Sequence, residues 1–215
     1  MPKKQKIRII GATIARKHFP KQYIMQKKIA RVVSFVGNPL LLALFCAIYA
    51  NFRQFGFQKA LTLTAILVLG AILPIFLYIN RRVSQGNFAD HDVSARTKRP
   101  SLYVFSLAVL LAMIGVLYYT RQPLAIIYGA WAGWLLAAVS FLINFKIKTS
   151  LHTGYAFLIG FLTLSFDFWT GFGLVCFAFL VGWSRLALGR HTLTEVFLGA
   201  SLGCTIGTVF YQLVQ

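Results

Sequence analysis

A short stretch near the C-terminal end of the sequence combines residue types that can carry out nucleophilic and acid–base chemistry. His191 is followed four residues later by Glu195, one of only four carboxylates in the chain, and Arg185 precedes the pair. Apolar segments flank the stretch on both sides. Charged groups beside a membrane core are costly and are therefore functional candidates. A carboxylate at this spacing can fix the tautomer of a histidine and stabilise its positive form, which prepares the ring to act as a nucleophile.

The elements that must position this stretch are apolar. Hydrophobic residues make up 58% of the chain and charged residues only 12%, against about 45–50% and about 25% in an average soluble domain. The composition predicts a membrane protein of the all-α class, a polytopic helical bundle with six to seven transmembrane helices. The cysteines all lie in apolar runs, where we expect them to be small buried residues and not disulfides or metal ligands.

Seven apolar segments are long enough, or nearly so, to be membrane spans. Asn38-Pro39 is expected to kink the first, and Pro74 lies inside the second. The fifth and sixth are short, so an alternative is one long tilted helix; only a hairpin would bring His152 and His191 to the same side. The predicted spans are 32–50, 60–79, 102–119, 124–144, 153–165, 168–183 and 193–214.

The basic residues are distributed unevenly about these spans. The net charge is +18, and ten of the 22 Lys and Arg residues fall within residues 1–31. With seven spans, nineteen basic residues lie on the side of the N-terminus and three on the other. The positive-inside rule then places the N-terminus and the candidate site in the cytoplasm, and we expect a prokaryotic inner or plasma membrane.

Two regions follow from this pattern. We predict a basic cytoplasmic tail over residues 1–31 and a membrane-embedded domain over residues 32–215. The tail is expected to lie against anionic membrane lipids. A nucleic-acid partner is not expected, because the tail has few aromatic residues and no recognition motif.

Three polar segments on the predicted cytoplasmic side concentrate groups suited to binding phosphate. Arg offers a rigid fork of donors to phosphate oxygens, and Lys a mobile point charge. If the segments converge, His191 could attack phosphorus with Glu195 behind it, and His152 could protonate the leaving oxygen. The candidate phosphate ligands are Arg96, Arg99, Lys148, Ser150, Arg185 and Arg190.

Simpler interpretations exist for each of these residues. Thr192 and Glu195 fit a capping box that opens the last helix, a role that is compatible with catalysis. The histidines could be interfacial residues, and the lysines and arginines ordinary cytoplasmic flanks. The joint occurrence of all of them in three segments on one side favours a site.

At these residues the chain resembles the type 2 phosphatidic acid phosphatase superfamily of integral membrane lipid phosphatases. The third family motif, Ser-Arg-x5-His-x3-Asp, is matched by Ser184, Arg185 and His191, with Glu195 in place of Asp. The resemblance implies that His191 forms a phosphohistidine, that Glu195 orients it and that Arg185 holds phosphate.

The other two family motifs are matched less completely. The second is usually Pro-Ser-Gly-His, and here Lys148-Thr-Ser150-Leu-His152 keeps its Ser and His; the resemblance makes His152 the general acid and Lys148 and Ser150 phosphate contacts. The first, Lys-x6-Arg-Pro, retains Arg99-Pro100, but Asp92 occupies the lysine position and leaves Arg96 or Lys98 as substitutes.

The sequence therefore predicts a metal-independent membrane phosphatase without a cofactor, acting on an isoprenoid or glycerolipid phosphate or diphosphate through a phosphohistidine. A lipid phosphotransferase of the same fold is an alternative, since a hydroxyl could capture the phosphohistidine. A non-catalytic protein that binds or transports lipid phosphates is another. The sequence predicts no oligomeric state.

Overall fold

The computed structural model describes residues 21–93 and 95–215, and within these ranges the chain forms helices and loops but no strand. The predicted all-α class is confirmed. A π-helical turn, Val68–Ile72, joins α3 to α4, and a 3-10 turn, Arg96–Lys98, precedes α5. The helices are α1 Lys21–Val36, α2 Pro39–Gln54, α3 Phe57–Leu67, α4 Leu73–Ser84, α5 Arg99–Tyr119, α6 Leu124–Asn144, α7 Leu151–Leu164, α8 Phe168–Ala187 and α9 Leu193–Val214.

The first predicted span consists of two helices. They meet at an angle of 52°, because Pro39 cannot continue α1 and instead starts α2, where the Asn38 side chain accepts a hydrogen bond from the Leu40 N–H at 2.9 Å. α1 begins at Lys21, so the end of the expected tail is helical. The rest of that tail, residues 1–20, lies outside the described residues.

The second predicted span is a continuous helix from residue 57 to residue 84 with a change of winding in its middle. Pro74 stands in the first turn of α4. A proline lacks the N–H that would bond to the carbonyl four residues earlier, and its ring clashes with that carbonyl, here that of Gly70. The π-helical turn Val68–Ile72 accommodates this interruption.

The apolar run from residue 153 to residue 183 is a hairpin of α7 and α8 and not one long helix. Asp167 makes the break, because its carboxylate accepts a hydrogen bond from the Thr170 N–H at 3.1 Å and caps α8. The hydroxyl of Tyr49 donates to the same carboxylate at 2.6 Å and fixes the turn against α2. This hairpin returns the chain to the side of His152.

α7 lies at the centre of the bundle, with most of its residues buried between α2, α6, α8 and α9. Its packing against α9 depends on close backbone approach at two glycines. A Cβ on Gly199 would lie 2.4 Å from the Ser150 carbonyl oxygen, and one on Gly203 would lie 2.3 Å from that of Gly154. Small residues at four-residue spacing permit such contact between helices in lipid.

Five of the described helical segments are long and apolar enough to cross a membrane, and the bent pair of α1 and α2 would make a sixth. α7 is shorter than these. Many large apolar side chains are exposed on the outside of the bundle, as expected for a surface that faces lipid. The fold is thus a polytopic membrane bundle, in agreement with the sequence.

Candidate active site

Three loops meet at one end of the bundle, where α4 leads to α5, α6 leads to α7, and α8 leads to α9. The N–H of Ser150 donates to the Glu195 carbonyl at 3.1 Å and ties the second loop to the start of α9. The first loop is tied to the second by Arg99, whose guanidinium donates to the carbonyls of Val93 at 3.0 Å and Thr149 at 2.9 Å. The predicted convergence of the three segments is therefore present.

The sequence between α8 and α9 forms a tight reversal that presents His191. Gly189 has a φ of +65°, a left-handed conformation that suits glycine at the end of a helix. The N–H of Arg190 then donates to the Arg185 carbonyl at 3.0 Å. Thr192 caps α9 through its side chain, so His191 stands immediately before the helix.

Glu195 serves both as a cap and as a partner of His191. Its Oε2 lies 2.7 Å from His191 Nδ1 and also accepts from the Thr192 N–H at 3.3 Å. The capping box is thus present together with the pairing that catalysis would need. Burial and the nearby positive charges of Arg99 and Lys148 lower the pKa of His191 to about 2. The neutral ring donates its Nδ1 proton to Glu195 and keeps a lone pair on Nε2.

His152 lies in the first turn of α7, directly after the Ser150 N-cap, and is buried. Its Nε2 lies 3.5 Å from Oδ1 of Asp92 in the first loop. The Ser150 hydroxyl is 2.9 Å from that of Thr153. Among the residues that the structure describes, His152 Nε2 has no hydrogen-bond partner.

Arg185 is almost completely buried, with 1% of its side chain exposed, and it contacts a carboxylate from the first loop. Its Nη1 donates to Asp92 Oδ2 at 2.8 Å and to the hydroxyl of Ser34 on α1. Its Nε has no hydrogen-bond partner within the described ranges. Burial acts to raise the pKa of Asp92, but the pairing with His152 and Arg185 outweighs it and holds that pKa below its usual value.

The other three candidate phosphate-binding cations, Lys148, Arg190 and Arg96, have different partners and lie at different distances from the buried cluster. Lys148 Nζ donates to the Arg190 carbonyl at 2.8 Å and lies 3.6 Å from Glu195; burial lowers the pKa of Lys148, and the charge of Glu195 partly offsets this. Arg190 Nη1 lies 2.9 Å from Asp90 Oδ2. Arg96 is exposed and donates to the Lys146 carbonyl, not to a group of the buried cluster.

The structure thus brings together His152, His191, Glu195, Arg185, Arg99 and Lys148, with Ser150 and Arg190 beside them. Sequence reasoning missed two features of the site. One is the pairing of Asp92 with Arg185 and of Asp90 with Arg190, although two of the four carboxylates in one polar loop were a usable indication. The other is Ser34, an ordinary helix residue that nothing in the sequence distinguishes.

Residues 144–215 match the family model described as the PAP2 superfamily. Over these residues, about a third of the chain, the protein is similar to the PAP2 superfamily. The match spans α7 to α9 and includes His152, Arg185, His191 and Glu195. It begins after Arg99-Pro100, so the incomplete first motif lies outside it. No curated protein and no solved structure matches the chain.

The match to the PAP2 superfamily supports a phosphatase-type activity on phosphate esters, and the long apolar helices indicate a membrane protein. The matched segment carries His152 and His191 together with Arg185, Lys148 and Arg190. The rest of the described chain supplies Arg99, Ser34 and the two loop carboxylates.

Proposed function

We propose that the protein is an integral membrane phosphatase that hydrolyses a lipid phosphate or diphosphate through a phosphohistidine at His191. One observation carries the proposal: the 2.7 Å contact between His191 and Glu195, made beside buried Arg185 and His152. Unpaired buried donors and acceptors are rare in folded proteins. Nε of Arg185 and Nε2 of His152, unpaired among the described residues, are suited to a substrate phosphoryl group and its leaving oxygen.

In the first step, Nε2 of His191 attacks phosphorus while the bond from phosphorus to the lipid oxygen breaks. The dianionic phosphate favours the protonated, cationic form of His152, which delivers its proton to that oxygen, so the lipid leaves as an alcohol or as a monophosphate. Glu195 keeps the Nδ1 proton of His191 in place and stabilises the positive charge that the ring acquires. Arg185 and Lys148 stabilise the negative charge on the phosphoryl oxygens.

In the second step, water attacks the phosphohistidine. His152, now neutral, accepts a proton from the water, and the bond from phosphorus to His191 breaks to release phosphate. Every role in this cycle is filled by a side chain of the protein itself, so the proposed reaction requires no metal. Arg99 contributes chiefly by holding the first and second loops together through the Val93 and Thr149 carbonyls.

Binding of the substrate phosphate requires the Asp92 carboxylate to move away from Arg185 and His152. Its carboxylate contacts Arg185 at 2.8 Å and lies 3.5 Å from His152 Nε2, the two groups assigned to the phosphate and the leaving oxygen. A phosphate monoester carries about −1.5 to −2 charges near neutral pH, so it attracts Arg185 more strongly than one carboxylate does. We therefore propose that the Asp92 side chain moves away from Arg185 when the phosphate enters.

The test is phosphate release by the detergent-purified protein, with farnesyl phosphate as substrate. His191→Gln and His152→Gln are expected to reduce kcat by about 10²-fold or more. His91→Gln is the matched control, because the His91 ring is exposed and its hydrogen bond is to Asn80, at 2.9 Å. Wild-type rates in both site variants would contradict the proposal.

A further inference from the structure

A partly open cavity of about 210 Å³ lies between α2, α5, α6 and α7. Its walls are almost entirely apolar, and small residues on α2 and α6 leave much of the space open; they include Ala47, Gly129, Ala130 and Gly133. An unfilled apolar cavity lowers the stability of a protein in proportion to its volume. The space therefore points to an apolar occupant.

The cavity lies along a helix face that begins at the candidate active site, and it extends to the opposite end of the bundle, where Ser165 and Phe166 also line it. On α7, His152 is followed on the same face by Tyr155, Ile159 and Leu162, at intervals of three and four residues, and these three line the cavity. Along the axis, Tyr155 lies ~4.5 Å and Leu162 ~15 Å from His152 at the helical rise.

A second helix makes the same connection. On α5, Arg99 stands at the site, and Leu110 and Met113, about three and four turns further along, line the cavity. Tyr103 lies between them, one turn below Arg99, and is buried. Two helices thus carry a residue of the candidate site at one end and line the same apolar space further along.

The size of the cavity limits what can occupy it. It exceeds the ~150 Å³ cavity that accepts benzene and is smaller than the ~300–1,000 Å³ pockets of drug-sized ligands. A segment of one hydrocarbon chain fits such a volume, whereas two parallel acyl chains do not.

We propose that this cavity binds the hydrocarbon chain of the lipid phosphate, and that it takes a single chain of the isoprenoid type rather than the two acyl chains of a glycerolipid. The proposal rests on the proposed function for the identity of the headgroup. It adds a binding site beneath His152 and Arg99 and narrows the substrate class.

Two glycines allow the cavity to be filled without disturbing its walls. A Cβ on Gly129 would meet its nearest atom, from Phe210, at 3.8 Å, and one on Gly133 would meet Tyr155 at 3.9 Å. Gly129→Leu and Gly133→Leu therefore project new side chains into the space. Gly115→Leu on α5 is the matched control, because Gly115 is exposed and has no atom within 4 Å of its Cβ position.

The measurement is the ratio of kcat/KM for farnesyl phosphate to kcat/KM for butyl phosphate. Each cavity variant should lower this ratio about tenfold, as expected from lost burial of about two methylene groups, and Gly115→Leu should leave it unchanged. The wild-type protein should also prefer farnesyl phosphate to dioleoyl phosphatidic acid. An unchanged ratio in folded cavity variants, or equal use of the two lipids, would overturn the proposal.

Photolabelling separates this proposal from the catalytic one, because it needs no turnover. A farnesyl phosphate analogue with a diazirine at the end of its chain should label α6 and α7 in the wild-type protein and in Gly115→Leu, but not in Gly129→Leu. Labelling confined to other helices would contradict the cavity site even if phosphate is released. Labelling as expected without phosphate release would support the cavity and contradict the phosphatase.

Discussion

Glu195 has both a structural role, at the start of α9, and a proposed catalytic role, beside His191. Its carboxylate contacts His191 Nδ1 at 2.7 Å and the Thr192 N–H at 3.3 Å, and Lys148 lies 3.6 Å away. One side chain therefore caps α9 and orients the proposed nucleophile. The two roles can be separated, because the cap also depends on the Thr192 hydroxyl and the orientation of His191 does not.

Glu195→Gln is predicted to lower kcat by about 10²- to 10⁴-fold, because a neutral amide cannot stabilise the positive charge on His191. Its melting temperature should change little, since glutamine also serves in a capping box. Thr192→Ala should have the opposite effects: the free energy of unfolding falls by ~1 kcal/mol because the cap is lost, and kcat is retained. Phosphate-release kinetics and thermal unfolding in detergent measure kcat and stability for the two variants. Equal kinetic losses in the two variants would mean that Glu195 acts only as a cap.

Sequence reasoning was effective for the residues whose motifs are local. His191, Glu195 and Arg185 lie within eleven consecutive positions, and the turn around Gly189 brings them together. The contact of Asp92 with Arg185 could not be predicted in the same way. It joins residues 93 positions apart and depends on the path of a loop that has no periodic pattern.

At the scale of the helices, the seam between α7 and α9 sets the relative placement of the two histidines. His152 opens α7 and His191 precedes α9, so a shift of one helix against the other changes their separation. Gly203 allows the helices to approach until its Cβ position is 2.3 Å from the Gly154 carbonyl oxygen. A backbone atom cannot rotate out of the way as a side chain can.

Gly203→Ala is predicted to lower the free energy of unfolding by about 1–3 kcal/mol through overpacking, and to lower kcat as α9 moves away. Gly173→Ala on α8 is the matched control, because its Cβ position has no atom within 4 Å; there the better helix propensity of alanine should stabilise by up to about 1 kcal/mol. Thermal unfolding and phosphate release measure both effects. A Gly203→Ala protein with wild-type stability would contradict this account of the seam.

The helices themselves follow closely from the sequence. The bounds of α6 and α9 coincide with the predicted spans 124–144 and 193–214, because polar or proline-containing turns flank strongly apolar runs. α1 was not predicted as a separate helix. Its basic residues resemble a tail, and the stabilising contacts come from packing against α8, including the hydrogen bond from Arg185 to Ser34.

At the scale of the whole molecule, nineteen of the 22 basic residues are predicted to lie on the same side of the membrane as the site-bearing loops, and on the positive-inside rule we propose that this side is cytoplasmic. In a cysteine-free variant, Asn87→Cys is predicted to react with an impermeant maleimide only after cells are permeabilised. Gln58→Cys, an exposed residue at the opposite end of the bundle, should react in intact cells. The opposite labelling pattern would place the site outside the cytoplasm.

The central claim is that His191 becomes phosphorylated during turnover, and base-quenched labelling tests it most directly. Wild-type protein mixed with ³²P-labelled farnesyl phosphate and stopped in alkali should carry acid-labile label on the peptide that contains His191. The label should be lost in His191→Gln and retained in His91→Gln. Release of phosphate by wild-type protein without label at His191, or equal label in the His191→Gln variant, would contradict the account.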